Sequence, residues 1–191
     1  MTRAGRWGKR SGIVVAALMA ACVLTAGTIY IGVQYDGNVH VVEPGMVLRS
    51  AQFTGARLDA IAHRYAIRSV LNLRGDNAGK PWYEEEMRAS RADGLVDYAL
   101  SAEHDVTQAQ MDELLRIVGA APKPLLIHCN AGADRTGLVS ALYQVSHGVP
   151  AAQAATQLSL RYGHFPWLWS KTGAMDRSFA VFLEHRAASA P

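Results

Sequence analysis

Residues 124–147 read PLLIHCNAGADRTGLVSALYQVSH. Four apolar-rich positions come first, then a polar loop containing Gly132, then apolar residues at helical spacing. That order predicts a buried strand, a tight loop and a helix. In open α/β sheets, ligands bind beyond the carboxyl ends of the strands. Cys129 sits at that edge, and Arg135 follows it by six positions. Gly132 allows the backbone to turn sharply, so that successive N–H groups can face inward as an anion nest. The helix that starts near Arg135 adds its positive end. The guanidinium of Arg135 is a planar fork that matches two phosphate oxygens. The same positive field favours a thiolate at Cys129. A thiolate at the floor of a phosphate cradle is a nucleophile aimed at phosphorus. Thr136 can place its hydroxyl near that sulfur and stabilise it as a leaving group.

Outward from this stretch, strands alternate with helices. NVHVVEPGMVLRS, residues 38–50, alternates apolar and polar positions around a Pro-Gly turn and predicts a hairpin or first strand. Thr54 is a candidate cap for a helix whose Leu58, Ile61, Ala62 and Tyr65 share one face. SVLNLRG is a buried strand, WYEEEMRASRAD a helix stopped by Gly94, and LVDYALS a further strand. Met111, Leu114, Leu115 and Val118 mark an amphipathic helix. Pro150 opens another helical stretch, and Met175 to His185 the last. The fold expected is α/β, a three-layer sandwich with a mostly parallel central sheet.

The net charge of +3 is concentrated at one end. Arg3, Arg6, Lys9 and Arg10 account for four of the 19 basic residues; the remaining 15 face 16 acidic ones. The body is nearly neutral, which argues against nucleic-acid binding. Ile13 to Val33 carries no charge and as a helix would span roughly 30 Å, the thickness of a bilayer core. With the basic segment 1–12 before it, 13–33 reads as a transmembrane anchor with its amino end in the cytoplasm. A cleaved signal segment is the alternative. Residues 34–45 read as a polar linker and 46–187 as the catalytic domain. Cys22 falls in the apolar segment, so the globular part has a single cysteine, Cys129, and no disulfide of its own. There is no Cys-x-x-Cys pair, which argues against structural zinc.

The run His128, Cys129, Asn130, Ala131, Gly132, Ala133, Asp134, Arg135, Thr136, Gly137 resembles the signature of the cysteine-dependent protein tyrosine and dual-specificity phosphatases. VLRSAQ (47–52), VLNLRG (70–75) and YGHFPWLWSKTGAMDRSF (162–179) are similar to the atypical plant and fungal dual-specificity branch and its bacterial relatives. The resemblance covers Val41 to Leu183. It implies a phosphatase that works through a phosphocysteine without metal or cofactor, with Asn130 to Asp134, Thr136 and Gly137 as the substrate-binding loop. Its partners would be a phosphorylated protein or lipid and, through 13–33, a bacterial inner membrane with the domain on the periplasmic side.

The resemblance also implies an aspartic acid that protonates the leaving oxygen, on the loop after the strand before the cysteine strand. That loop is SAEHDVTQAQ, residues 101–110. Asp105 is the choice and Glu103 the runner-up; Asp97 falls within the strand. Helix capping by Asp105 or Thr107 is the plain alternative. Asp134 replaces the positive charge found in loops that take polyphosphates, and its plain role is to hold a neighbouring backbone group. His128 is expected to orient the loop. Arg49 and Arg74 end strands at the same edge, where structural ion pairs are expected. Asp176 could brace the site or simply be surface charge. The aromatics of HFPWLW (164–169) are expected to be buried.

Overall fold

The computed structural model describes residues 3–90, 94–167 and 170–189; for positions 3–11, 29, 30, 33 and 34 only the backbone is described. The elements in order are α1 (Arg3–Asp36), β1 (His40–Glu43), β2 (Val47–Ser50), α2 (Gly55–Tyr65), β3 (Ser69–Asn72), α3 (Pro81–Ala89), β4 (Leu95–Asp97), α4 (Gln108–Ala120), β5 (Leu125–His128), α5 (Asp134–Ser146), α6 (Ala151–Ala154) and α7 (Gly173–Ala188). Short 3-10 turns at Ala155–Gln157 and Leu160–Tyr162 lie between α6 and α7.

The sheet runs β1-β2-β5-β3-β4. Only the β1–β2 hairpin is antiparallel; β2–β5, β5–β3 and β3–β4 are parallel. Alternation along each strand divides the core into two layers. Leu48, Val70 and Leu126 face one side, with Leu58, Ile61 and Ala62 of α2 against them. Val47, Leu71, Leu125 and Ile127 face the other, under Leu114 and Val118 of α4, Leu138 and Leu142 of α5, and Phe179 and Phe182 of α7. Helices therefore cover both faces, as the strand–helix alternation predicts.

Local details depart from the sequence reading. Residues 34–45 are not a linker: 40–43 form β1, Asn38 is buried, and the Gly37 carbonyl accepts from the Ala51 amide. Thr54 occupies the cap position of α2, yet its side chain makes no cap hydrogen bond. Thr107, rather than Asp105, caps α4, in a reciprocal box with Gln110. Phe165 and Trp167 are exposed, not buried; Leu168 and Trp169 of the same motif lie outside the described residues.

α1 is one continuous helix of 34 residues. Ile13, Val14, Leu18, Val23, Leu24 and Ile31 are each more than half exposed on it. Among the described residues no helix is long and apolar enough to cross a membrane. The expected anchor, 13–33, includes positions 29, 30 and 33, whose side chains lie outside the described residues.

Candidate active site

Parallel pairing aligns Ser50, His128 and Asn72 across β2, β5 and β3. Cys129 is the first residue past that edge and is buried at 2% exposure. The loop that follows is held from outside through its carbonyls. Asn130 O accepts from the Gln52 amide at 3.1 Å. Ala131 O accepts from Asn38 Nδ2 at 3.0 Å. Gly132 O and Ala133 O accept from one guanidinium nitrogen of Arg49 at 2.7 and 3.2 Å. In a trans peptide the C=O of one residue and the N–H of the next point in opposite directions. Four carbonyls turned outward therefore leave the amides of Ala131, Gly132, Ala133 and Asp134 turned to the other side, an arrangement that receives an anion.

Gly132 makes this turn possible. Its φ is +69°, and a Cβ there would sit 2.5 Å from the Ser50 carbonyl group and 2.6 Å from the Ala51 nitrogen. The loop thus lies flat on the end of β2, where only a hydrogen fits.

Arg49 corrects the expectation of an ion pair. It is fully buried, and no carboxylate pairs with it among the described residues. Its other guanidinium nitrogen donates to the Gln157 carbonyl at 2.8 Å and to Gln157 Oε1 at 2.7 Å. Tyr162 places its ring 4.0 Å from the guanidinium carbon. Burial pushes Arg49 down to about 10, which leaves it charged at neutral pH. Neutral acceptors and a ring face disperse that charge without supplying a counterion.

Arg135, the second residue of α5, reaches back over the strand ends. One terminal nitrogen donates to Leu73 O and Leu100 O, each at 3.2 Å. Its Nε is buried with no protein partner among the described residues. The side chain is thus fixed at one corner of its fork while the opposite donors remain available. Thr136 Oγ1 is likewise buried without a protein partner.

Residues 37–178 match the family model described as Swiss Army Knife protein, DSP-PTPase phosphatase domain. The chain belongs to this family. It is a cysteine-based phosphatase. No curated protein matches the sequence. Among solved structures it is similar to TpbA of P. aeruginosa, with a TM-score of 0.61 at 20% identity over 76% of this chain and 85% of that one. The core catalytic domain of the PP-IP phosphatase SIW14 from S. cerevisiae gives a TM-score of 0.60 at 18% identity, covering 80% and 91%. PTPMT1 gives 0.51 at 16% identity, covering 80% and 99%. At these identities the likeness is one of fold.

Among the carboxylates of this phosphatase, Asp176 takes the bracing role its sequence suggested, through a histidine that the sequence did not mark. The Asp134 side chain pairs with that histidine, and among the described residues it holds no backbone group. Its Oδ1 lies 2.7 Å from Nδ1 of His164, and the His164 Nε2 lies 2.9 Å from Asp176 Oδ2. His164 is fully buried between them. Burial pushes this imidazole down, but the two carboxylate hydrogen bonds outweigh it and hold it above its ordinary value. Asp176 thus braces the loop through His164 and Asp134. His128 Nε2 is 2.6 Å from Glu86 Oε1, both buried; the contact has an ion-pair distance without hydrogen-bond alignment. Asp97 accepts from Asn72 and from the Tyr83 hydroxyl and is structural.

Asp105 and Glu103 lie on the loop after Leu100, whose carbonyl Arg135 holds. Asp105 receives the fork of Arg177 at 2.6 and 3.0 Å, both side chains more than half exposed. Lys171 sits 2.8 Å from Glu103, and that hydrogen bond lowers the Glu103 carboxyl below its usual value. The Val106 amide donates to Ser178 Oγ. The loop is thus strapped to α7 and to the segment before it.

A cleft of ≈ 560 Å³ opens beside Asn130 and Ala131, lined also by Gln52, Arg57, Arg74 and Trp82. Arg74, like Arg49, has no ion pair among the described residues; its guanidinium lies 3.6 Å over the Trp82 ring. Asn38, Gln157, His164, Glu86, Arg57 and Trp82 were not singled out from sequence. Their partners are distant in the chain, and no local pattern marks them.

Proposed function

We propose that the protein hydrolyses phosphate monoesters through a phosphocysteine. The observation that carries this reading is the set of four outward loop carbonyls above Cys129, which leaves the amides and the free donors of Arg135 for a phosphoryl group. The Cys129 thiolate attacks phosphorus, and the bond from phosphorus to the ester oxygen breaks. Asp105 gives the departing oxygen a proton. Water then attacks the phosphocysteine with Asp105 as base; inorganic phosphate leaves and the thiolate returns. The amides and Arg135 stabilise charge as it spreads over the equatorial oxygens. Thr136, buried with a free hydroxyl, donates to the sulfur as it departs. Asp105 acts once it is released from the Arg177 fork.

The substrate is a phosphorylated protein or a phosphorylated lipid. TpbA has been crystallised with pTyr, and SIW14 is a PP-IP phosphatase. We further propose that α1 anchors the chain in a membrane, with the catalytic domain outside the cytoplasm. Exposed apolar side chains on every side of a helix, behind a basic segment, support that reading.

One observation favours a second reading. Asp105 and Glu103 are both engaged in ion pairs, and neither lines the cleft. A phosphate-binding module without a usable acid would share those features. Hydrolysis of p-nitrophenyl phosphate in EDTA separates the two. The phosphatase reading expects turnover that Cys129→Ser abolishes and a phosphocysteine trapped by rapid quench. No wild-type turnover, or turnover unchanged in Cys129→Ser, sinks it. On a poor leaving group, Asp105→Asn is expected to be slow; if only Glu103→Gln is slow, the acid is Glu103. A reporter fused after Pro191 that works only in the cytoplasm would overturn the orientation.

A further inference from the structure

We infer that Arg57 and Arg74 form a second anion subsite beside the cysteine loop, so that the substrate carries another negative group on the alcohol side of its phosphate ester. This deepens the phosphatase reading and rests on it for the position of the first phosphate.

The cysteine loop carries little positive charge of its own, since Ala133 and Asp134 stand before Arg135. The charge beside it comes from other elements. Arg57 lies in α2 and Arg74 follows β3, and both line the cleft that adjoins Asn130 and Ala131. Among the described residues no acidic side chain lines that cleft, and neither arginine makes an ion pair. Each is propped by an aromatic ring instead: Arg74 over Trp82 at 3.6 Å and Arg57 over Phe53 at 5.1 Å. A ring occupies the flat face of a guanidinium and leaves its edge donors free, whereas a carboxylate would consume them. The polar contacts that remain are few. Arg74 reaches Gln52 Oε1 at 3.4 Å, and Arg57 donates to the Tyr35 carbonyl. The second arginine is electrically coupled to the site. Burial first, and then the charge of Arg135, lowers Arg74, so an anion bound near it relieves a repulsion already present. Two rigid forks with no counterion, in a cleft with Phe53 and Trp82 on its walls, fit a compact organic group that bears a phosphate or carboxylate.

The test uses the full chain in detergent micelles carrying Cys129→Ser, so that binding is read without turnover. Calorimetry compares inositol 1,4-bisphosphate with inositol 4-phosphate. The bisphosphate is expected to bind about ten-fold tighter or more, and the preference is expected to fall toward one in the Arg57→Gln, Arg74→Gln chain. Arg74→Lys, which keeps the charge and loses the fork, is expected to fall between them and carries the comparison if the double variant melts early. Equal affinity for the two probes in the parent overturns the subsite, as does a preference that survives both substitutions. With cysteine restored, phosphate release is measured from the free bisphosphate and from vesicles containing phosphatidylinositol 4-phosphate. A loss in the arginine variants on vesicles places the second anion on a lipid headgroup; a loss only with the free ester places it on a soluble substrate. If the wild type releases phosphate from neither while the Cys129→Ser chain keeps its preference, the phosphatase reading fails and the subsite stands.

Discussion

Single residues set the shape of the cysteine loop, and two of them act by opposite means. Gly132 acts by what it lacks. A methyl group there would meet the Ser50 carbonyl at 2.5 Å, in a backbone region with φ at +69° that disfavours any side chain. Gly132→Ala is expected to push the loop off the end of β2 and splay its amides. The expected cost is about 100-fold or more in kcat/KM, with folding lost by about 1–3 kcal/mol. Steady-state kinetics and urea midpoints on the same preparation check both; full activity would show that the amide cradle does not depend on that close approach. Arg49 acts by what it fills. It satisfies carbonyls of Gly132, Ala133 and Gln157 from a fully buried position. Arg49→Leu removes the donors and leaves buried acceptors unmet, each costing about 1–3 kcal/mol. A drop of about 3 kcal/mol in unfolding free energy is expected, visible as a lower urea midpoint. Arg49→Lys is expected to recover only part, because one ammonium cannot reproduce the fork.

The elements that carry apolar runs were legible. β2, β3 and β5 each read as short apolar-rich stretches, and the α4 face of Met111, Leu114 and Val118 is buried as its spacing required. Cys129 and Arg135 were legible because their chemistry is compressed into one loop. The supports of that loop were not. Asp134 and His164 are 30 positions apart, His164 and Asp176 12, and their meeting depends on how α7 packs against α5. Periodicity reports which face of a helix is buried, not which polar group waits across the interface. This junction gives an expectation in pH. His164 is held above its ordinary value by Asp134 on α5 and Asp176 on α7. A raised folded value means the imidazolium stabilises the fold fully below the ordinary histidine value of about 6.5, and that the contribution is lost as pH rises through the folded value. The urea-midpoint gap between wild type and His164→Asn should therefore be largest near pH 5.5 and shrink as pH rises above about 6.5. A constant gap would mean that folding does not shift the titration of the ring, and a gap that grows with pH would mean that the fold holds the ring neutral.

For the whole molecule, the question is where the catalytic unit begins. The sequence reads 34–45 as a polar linker leading into a hairpin or first strand, and the alternation over 38–50 does form the β1–β2 hairpin. Long-range contacts make the rest of that linker part of the domain as well. Asn38 Nδ2 donates to Ala131 O in the cysteine loop and to Tyr162 O near Arg49. Gly37 turns beneath Phe53, where a Cβ would lie 2.2 Å from a ring carbon. β1 covers the outer edge of β2, which would otherwise leave unpaired backbone groups at the sheet rim. The apolar helix therefore joins the domain without an intervening spacer, through residues that help to hold the active-site loop. It follows that α1 and the domain are best parted at Asp36, where the cut removes one hydrogen bond with the domain among the described residues, at the Tyr35 carbonyl that accepts from Arg57. A chain starting at Asp36 is expected to keep the melting temperature of the full protein and its turnover of p-nitrophenyl phosphate, while losing co-sedimentation with phosphatidylcholine vesicles. A chain starting at Met46 lacks Asn38 and β1 and is expected to melt lower and lose turnover. Asn38→Ala in the full chain isolates the hydrogen bonds and should cost about 1–3 kcal/mol, with turnover reduced. If the Met46 chain matched the Asp36 chain in melting and rate, residues 37–45 would be the spacer their composition suggests. The Asn38 contact would then contribute nothing to the site.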